Sequence, residues 1–467
     1  MKRVVIVGGG ITGLATAYFA QERARASGQD VEITLVESAP RLGGKILTEC
    51  VGEFLIEGGP DAFITLKPWA IRLCEQLGLA DQLIVPQPGR EAFILYRDRL
   101  RRLPPGAMGF IPTNFASFWQ SDLFSLWGKM RMGLELLVPT QRDGREESLG
   151  GFIRRRLGAE PLERLAEPLL AGVYAGDADR LSLSATFPQL AILERQHGGL
   201  IRGALAHRRA VKDQRGRPLF MTLQSGLNQL IEALVARLQN VRIITGQSVT
   251  ELTRGTARRA PTGYHLRLAD ARALAADAVV LTTPAYVTAK LLELLSAESA
   301  ELLTRISYVS TAIVTLAFRS SAITDTLEGT GFLVPRSEGR ELTASTWSSS
   351  KWPGRAPAGS VLVRGFFGRA GQEDVLGSND EALKRLAYEE LKSILGFKSE
   401  PILARVHRWP KAMPQYEIGH LERLAQLEEA LNEHSGLILA GAAYRGIGLP
   451  DCIRQAQEAA ERIPLSC

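Results

Sequence analysis

The apolar positions of the chain fall into short runs whose period and punctuation predict its elements. Arg3–Val7 is a β-branched run that stops at Gly8, and the alanine-rich Thr12–Ala26 follows with helical character. The chain is therefore predicted to open as strand, tight turn and helix. A second apolar run, Val31–Val36, predicts a strand that ends at Glu37. At the other end, Gly436–Ala440 reads as a buried strand entering Gly441-Ala442-Ala443-Tyr444-Arg445-Gly446-Ile447-Gly448-Leu449-Pro450, with a last helix from Asp451 to about Arg462. Between these ends, Asn240–Val249 and Ala278–Thr283 read as strands. Residues 86–205 read as helix-rich, and Ser310–Phe318, Gly331–Pro335 and Ser360–Phe367 as strands of a second sheet. No repeat or long linker separates these parts, which predicts interdigitated domains.

Composition narrows the function classes. With 467 residues, 45% hydrophobic and 23% charged, the chain has the make-up of a soluble multi-domain protein. Its four cysteines, Cys50, Cys74, Cys452 and Cys467, form no C-x-x-C pair and suit a reducing cytoplasm. The six histidines lack metal-ligand spacing, so no protein-bound metal is expected. The net charge of +6 admits nucleic acid, acidic lipid or an anionic small molecule. Its clusters, Arg97–Arg102, Arg154–Arg156 and His207–Lys212, lack aromatic interleaving, which argues against nucleic acid and reads as solvated faces. The uncharged stretch Leu103–Ser121 is too rich in proline, glycine and amides to span a membrane.

The first turn carries chemistry. Gly8, Gly10 and Gly13, with Gly9, Ile11 and Thr12 between them, form G-x-G-x-x-G between strand and helix. The first glycine permits the turn, the second admits a pyrophosphate, and the third lets helix and strand pack closely. The helix N-terminus then faces the phosphates. Glu37, at the end of the second strand, is placed to accept hydrogen bonds from ribose hydroxyls.

The next segment, Arg41-Leu42-Gly43-Gly44-Lys45, resembles the R-x-G-G segment of flavoproteins of the amine oxidase and glutathione reductase-like superfamily. That resemblance implies non-covalent FAD, with Arg41 and Lys45 offsetting pyrophosphate charge and Gly43 and Gly44 lying against the cofactor. Glu57-Gly58-Gly59-Pro60-Asp61 is a further close-approach loop. In the C-terminal turn, Gly446 and Gly448 present backbone N–H groups to the flavin ring, and the helix that follows favours negative charge on its reduced form. The expected fold class is a discontinuous α/β FAD-binding domain with an antiparallel-sheet substrate domain and a helical domain. Residues 1–60, 222–290 and 420–467 form the first, 61–85, 185–221 and 291–419 the second, and 86–184 the third.

Glu167-Pro168-Leu169-Leu170-Ala171-Gly172-Val173-Tyr174-Ala175-Gly176-Asp177 looks like the corresponding segment of the oxygen-dependent porphyrinogen oxidases of heme synthesis. The likeness continues through His197-Gly198-Gly199 and Trp409-Pro410-Lys411-Ala412-Met413-Pro414-Gln415-Tyr416, and covers almost the whole chain. It names the coproporphyrinogen III/protoporphyrinogen IX oxidase family, closest to its soluble bacterial branch. The resemblance implies FAD contacts at Gly8 to Gly13, Glu37, Ser38, Lys45, Gly59 to Ala62, Val249, Trp409 and Ile447 to Leu449. It also implies a porphyrinogen substrate, molecular oxygen as acceptor and handover to later enzymes of heme synthesis.

In such a reaction six hydrogens leave the macrocycle in three two-electron rounds, giving three hydrogen peroxides. The pyrrole lone pairs drive hydride loss, so no catalytic acid or base is assigned. Gly172 and Val173 are candidates for the substrate wall, with Tyr174 structural. Lys67 is a candidate for holding a substrate propionate, with a plain exposed lysine as the alternative. Of the two substrates, the basic balance slightly favours the more anionic coproporphyrinogen III. Phe110, Phe115, Phe118, Trp119, Leu123, Phe124, Leu126 and Trp127, with Lys129 and Arg131, read either as core or cavity wall or as a surface resting on a bilayer. The competing activity is that of an amine oxidase or a phytoene desaturase-like enzyme. Against it stand the absence of Gly-Glu in the Gly441–Tyr444 turn and of a Ser-Gly-Gly-Cys-Tyr flavin tether.

Overall fold

A computed structural model describes residues 1–89, 91–104, 119–141, 145–210, 218–255, 263–323 and 327–464. Five strands pair in parallel in the order Val241–Ile244, Val31–Val36, Lys2–Val7, Ala278–Leu281 and Leu437–Leu439. Both faces of this sheet are covered, which is why its strands read as unbroken apolar runs. Val4, Ile6, Ile33 and Leu35 point to one core, shared with the helices Ile11–Ala26 and Leu449–Arg462. Val5, Val7, Val36, Val279 and Leu281 point to the other, closed by a three-stranded antiparallel sheet of Val249–Arg254, Tyr264–Leu268 and Ala273–Ala276. Ala17, Ala20 and Ala24 share the first core with Ala456, Ala459 and Ala460, and these small side chains let the first and last helices pack closely. The two chain ends thereby form one layer.

The last helix begins at Leu449, two residues ahead of the predicted start, because Pro450 fits the first helical turn, where no N–H is required. The stretch read as Asn240–Val249 is two elements, with a turn at Gly246 separating Val241–Ile244 from Val249–Arg254.

The second sheet has seven strands, in the order Leu403–Pro414, Tyr308–Arg319, Ser360–Phe367, Leu342–Trp347, Gly331–Leu333, Ala92–Tyr96 and Arg99–Arg102. Neighbours are antiparallel except Gly331–Leu333 and Ala92–Tyr96, which run parallel. Ala92–Tyr96 and Arg99–Arg102 lie within the stretch read as helix-rich. Runs of four or five residues are too short for their period to separate helix from strand. Three arginines on the outer strand protect that edge from further pairing.

One face of the sheet packs on the helix Asp380–Leu395. The helical part, with Leu149–Arg156, Glu167–Tyr174, Pro188–His197 and Leu200–Ala210, has its own core and also receives Ile94, Leu333 and Tyr416. Arg154–Arg156 is not simply a solvated face. Arg156 is fully buried, pairs with Glu135, and donates to the carbonyls of Val138 at 2.8 Å and Gly198 at 3.0 Å. Glu135 in turn accepts from the N–H groups of Leu200 and Ile201 at the start of a helix.

Of the aromatic stretch, Leu123 and Phe124 are core, while Trp119, Leu126 and Trp127 are exposed. Phe110, Phe115 and Phe118 lie outside the described residues, as does Cys467. Among the described residues no helix is long and apolar enough to cross a membrane, and no group of His, Cys, Asp or Glu is arranged to hold a metal ion.

Candidate functional site

The glycine turn has the geometry the motif requires. Gly8 has φ +109°, and a Cβ on Gly13 would lie 1.8 Å from the Gly8 carbonyl oxygen. By contrast, a Cβ on Gly10 would approach only Gly44 Cα, at 3.9 Å. Gly13 is thus required by the protein's own packing, whereas the space beside Gly10 is open. The Gly9 N–H donates to Glu37 Oε2 at 2.5 Å, and Glu37 Oε1 accepts from the Ala39 N–H at 2.8 Å and the Ser38 hydroxyl at 3.1 Å. Val249 follows a turn that holds the same carboxylate region, with the Gln247 N–H donating to the Glu37 carbonyl and the Gly246 N–H to that of Ala39.

The Gly43 N–H donates to the Gly9 carbonyl at 2.8 Å, so the second glycine pair lies directly on the first turn. Arg41 folds over its own loop and donates to the carbonyls of Leu42, Gly44 and Ile46. It shapes that loop. Lys45, next to Gly44, keeps accessible surface. Among the described residues its ammonium donates to one group, the Ala412 carbonyl, and its enclosure lowers its pKa.

Gly58 and Gly59 sit under the sheet. Trp409 Nε1 donates to the Gly58 carbonyl at 2.7 Å, and a Cβ on Gly59 would lie 1.9 Å from the Lys45 carbonyl oxygen. Pro60 and Ala62 flank Asp61, whose carboxylate is bound within the protein by Lys351 Nζ and Trp352 Nε1, both at 3.0 Å, with Arg364 at 3.8 Å. Burial raises its pKa, but Lys351 and Arg364 outweigh that and hold it well below the usual carboxylate range. The Asp61 side chain therefore supports the loop. Arg364 also donates to the Gly59 carbonyl. Sequence reasoning passed over this residue, although an arginine within the apolar run Ser360–Phe367 was its signal.

At the C-terminal turn, Tyr416 accepts from the Gly446 N–H and donates to the Ala442 carbonyl. Gly448 is the N-cap of the last helix and, having no side chain, gives its first N–H groups no side-chain cap. Ile447 packs toward the helical core and Leu449 toward the first core.

Lys67 is not a free cation. Its Nζ lies 2.7 Å from both carboxylate oxygens of Asp451 in the first turn of the last helix. Gly172 and Val173 are accessible, and a Cβ on Gly172 would lie 3.5 Å from Leu333 Cδ2 of the large sheet. Tyr174, on the same helix, is buried against Phe187 and Tyr416, as expected of a structural residue.

The donor set fits FAD. A glycine cradle opens a helix, a carboxylate closes the second strand, and Lys45 supplies a cation next to Gly44, which faces Gly10. Residues 11–464 match the family of flavin-containing amine oxidoreductases. The chain belongs to that family. It is 38% identical over 463 residues to the coproporphyrinogen III oxidase of Bacillus subtilis, covering 98% of this chain and 97% of that protein. It is 34% identical to the chloroplastic protoporphyrinogen oxidase of Oryza sativa, covering 98% of this chain and 87% of that one. A crystal structure from Exiguobacterium sp. 255-15 superposes with a TM-score of 0.86 at 36% identity over 98% of each chain. The cyclohexylamine oxidase of Brevibacterium oxydans, at 17% identity and TM-score 0.69, shares the fold. FAD is the family's cofactor here, and the chain is an oxidoreductase.

Proposed function

We propose that the chain oxidises coproporphyrinogen III to coproporphyrin III, within its function as an FAD-dependent porphyrinogen oxidase of heme biosynthesis. The observation that carries the reading is the wall at Gly172, where a helix without a side chain at that position faces Leu333 of the large sheet. Full-length likeness to bacterial coproporphyrinogen III oxidases supports the choice of substrate.

FAD, when bound, accepts hydride equivalents and passes electrons to oxygen. The residues of this chain then bind and orient. The turns at Gly8–Gly13, Glu37 and Gly43–Lys45 would hold the dinucleotide, the loop at Gly58–Gly59 and the turn at Gly446–Leu449 would hold its ring, and Gly172 and Val173 would face the substrate. On this reading each porphyrin formed consumes three molecules of oxygen and yields three of hydrogen peroxide.

The test is anaerobic mixing of the holoenzyme with coproporphyrinogen III and, separately, with protoporphyrinogen IX, followed by admission of air. Flavin bleaching and then porphyrin fluorescence are expected with both, with the larger kcat/KM for coproporphyrinogen III. Equal values, or preference for protoporphyrinogen IX, would reject the substrate assignment. Oxygen uptake and peroxide yield check the stoichiometry.

A peripheral membrane contact has its own support. Leu126, Trp127, Met130, Leu134 and Leu137 are exposed along Leu126–Gly133 and the turn after it, with Trp127 at 78% and Leu137 at 77%. Lys129 donates to the Trp119 carbonyl and Arg131 to those of Arg155 and Arg156, which fixes where these two charges lie beside the apolar residues. Sedimentation with phosphatidylglycerol vesicles should be lost in Trp127→Glu, and no sedimentation of the parent protein would reject the contact.

A further inference from the structure

Asp451 occupies the third position of the last helix, and its carboxyl group lies along the turn before it. A Cβ on Gly446 would lie 2.5 Å from Asp451 Cγ, and one on Gly448 3.2 Å from Asp451 Oδ2. A full negative charge here exceeds the roughly half-unit positive charge of a helix N-terminus, and would reverse the field along the turn. Lys67 prevents this. Its ammonium touches both carboxylate oxygens at 2.7 Å, although it comes from a loop 384 residues away in the chain. The Asp451 side chain is 11% exposed and that of Lys67 45%, so the carboxylate sits against the turn while solvent reaches the ammonium from the outside.

We propose that Lys67 is a positioning residue for the cofactor: by neutralising Asp451 it keeps the N-terminal end of Leu449–Arg462 positive toward the flavin and keeps the flavin easy to reduce. The proposal rests on the flavin ring lying against Gly446–Leu449, as in the function proposed above. Reduced flavin carries negative charge at neutral pH, so an unpaired carboxylate beside it lowers its reduction potential. The same pair ties the loop bearing Lys67 to the last helix. This gives Lys67 a role distinct from binding a substrate propionate.

The experiment compares full-length holoenzymes carrying Lys67→Met, Lys67→Arg and the double change Lys67→Met with Asp451→Asn. The readouts are the midpoint potential of the flavin, its affinity for sulfite, and KM for coproporphyrinogen III. Lys67→Met should lower the two-electron reduction equilibrium at least tenfold, about 30 mV, and weaken sulfite binding by a similar factor. Lys67→Arg and the double variant should stay within threefold of the parent in both, because one keeps the pair and the other removes both charges. KM should stay within threefold throughout.

Potential and sulfite affinity within threefold of the parent in Lys67→Met overturn the proposal, and a tenfold rise in KM alongside assigns Lys67 to substrate instead. Gly448→Val separates the proposal from its premise. An unaltered flavin spectrum and FAD affinity in that variant remove the ring from this turn, and the proposal falls with it. A changed spectrum with a silent Lys67→Met leaves the placement standing and rejects only the pair's role.

Discussion

The hydroxyl of Tyr416 holds Gly446 in place, accepting its backbone N–H at 2.8 Å while donating to the Ala442 carbonyl at 2.7 Å. Gly446 has φ +115°, a conformation an L side chain rarely adopts, so the turn depends on support from outside itself. Tyr416→Phe leaves both backbone groups without this partner. A loss of about 1–3 kcal/mol is expected, read as a lower Tm and a roughly tenfold weaker FAD affinity by flavin fluorescence titration. An unchanged affinity would show that the turn does not contribute to cofactor binding.

His420 stacks on the Tyr416 ring with centroids 4.1 Å apart, and its Nε2 lies 2.9 Å from the Tyr444 carbonyl oxygen. Burial lowers its pKa to about 4, against a hydrogen bond to Tyr444 that acts the other way. Because the unfolded state takes up the proton first, its contribution is complete above pH 6.5 and is lost as pH falls from there toward 4. The loss approaches about 3 kcal/mol if the full shift is expressed. Denaturant midpoints measured from pH 7 to pH 4 should fall more steeply for the parent than for His420→Gln. Parallel curves would remove His420 from the acid response.

Gly10 and Gly13 belong to one motif but should fail differently. Gly13→Ala drives a methyl group into the Gly8 carbonyl at 1.8 Å and should prevent correct folding of the first turn, seen as insoluble or low-Tm protein. Gly10→Ala meets nothing closer than Gly44 Cα at 3.9 Å. Its apoprotein should keep the parent Tm within about 2 °C while FAD affinity falls at least tenfold, measured by ultrafiltration. Equal loss of stability in both variants would reject this division.

Gly172 offers a graded test of the substrate wall. A Cβ there reaches ordinary contact with Leu333 at 3.5 Å, so Gly172→Ala should retain most activity. Gly172→Leu must push past Leu333 or project from the exposed face of the helix, and should raise KM or reduce kcat at least tenfold while FAD stays bound. If Gly172→Leu turns over porphyrinogen at the parent rate, the substrate does not pass this helix.

Asp61→Asn removes the charge that compensates the buried Arg364 and the partly buried Lys351. A loss of about 3–5 kcal/mol is expected, as for breaking a buried pair from one side. Chemical denaturation of the apoprotein measures it without interference from FAD.

The dinucleotide turn was legible in the sequence because its requirements are local. Gly8, Gly10, Gly13 and Glu37 act within one strand–helix–strand unit, and their spacing encodes the backbone geometry directly. The parallel strands were legible for a similar reason, since burial on both faces leaves an unbroken apolar run. Only the tertiary structure decided the partners of charges brought together from distant segments. Lys67 found Asp451, Asp61 found Lys351 and Arg364, and Arg156 found Glu135, each from a stretch whose local pattern names no partner. A side chain's charge is written in the sequence, but its counter-charge is set by the path of the chain in space. Short strands such as Ala92–Tyr96 share that dependence, because a five-residue run becomes a strand only when a sheet edge is there to receive it.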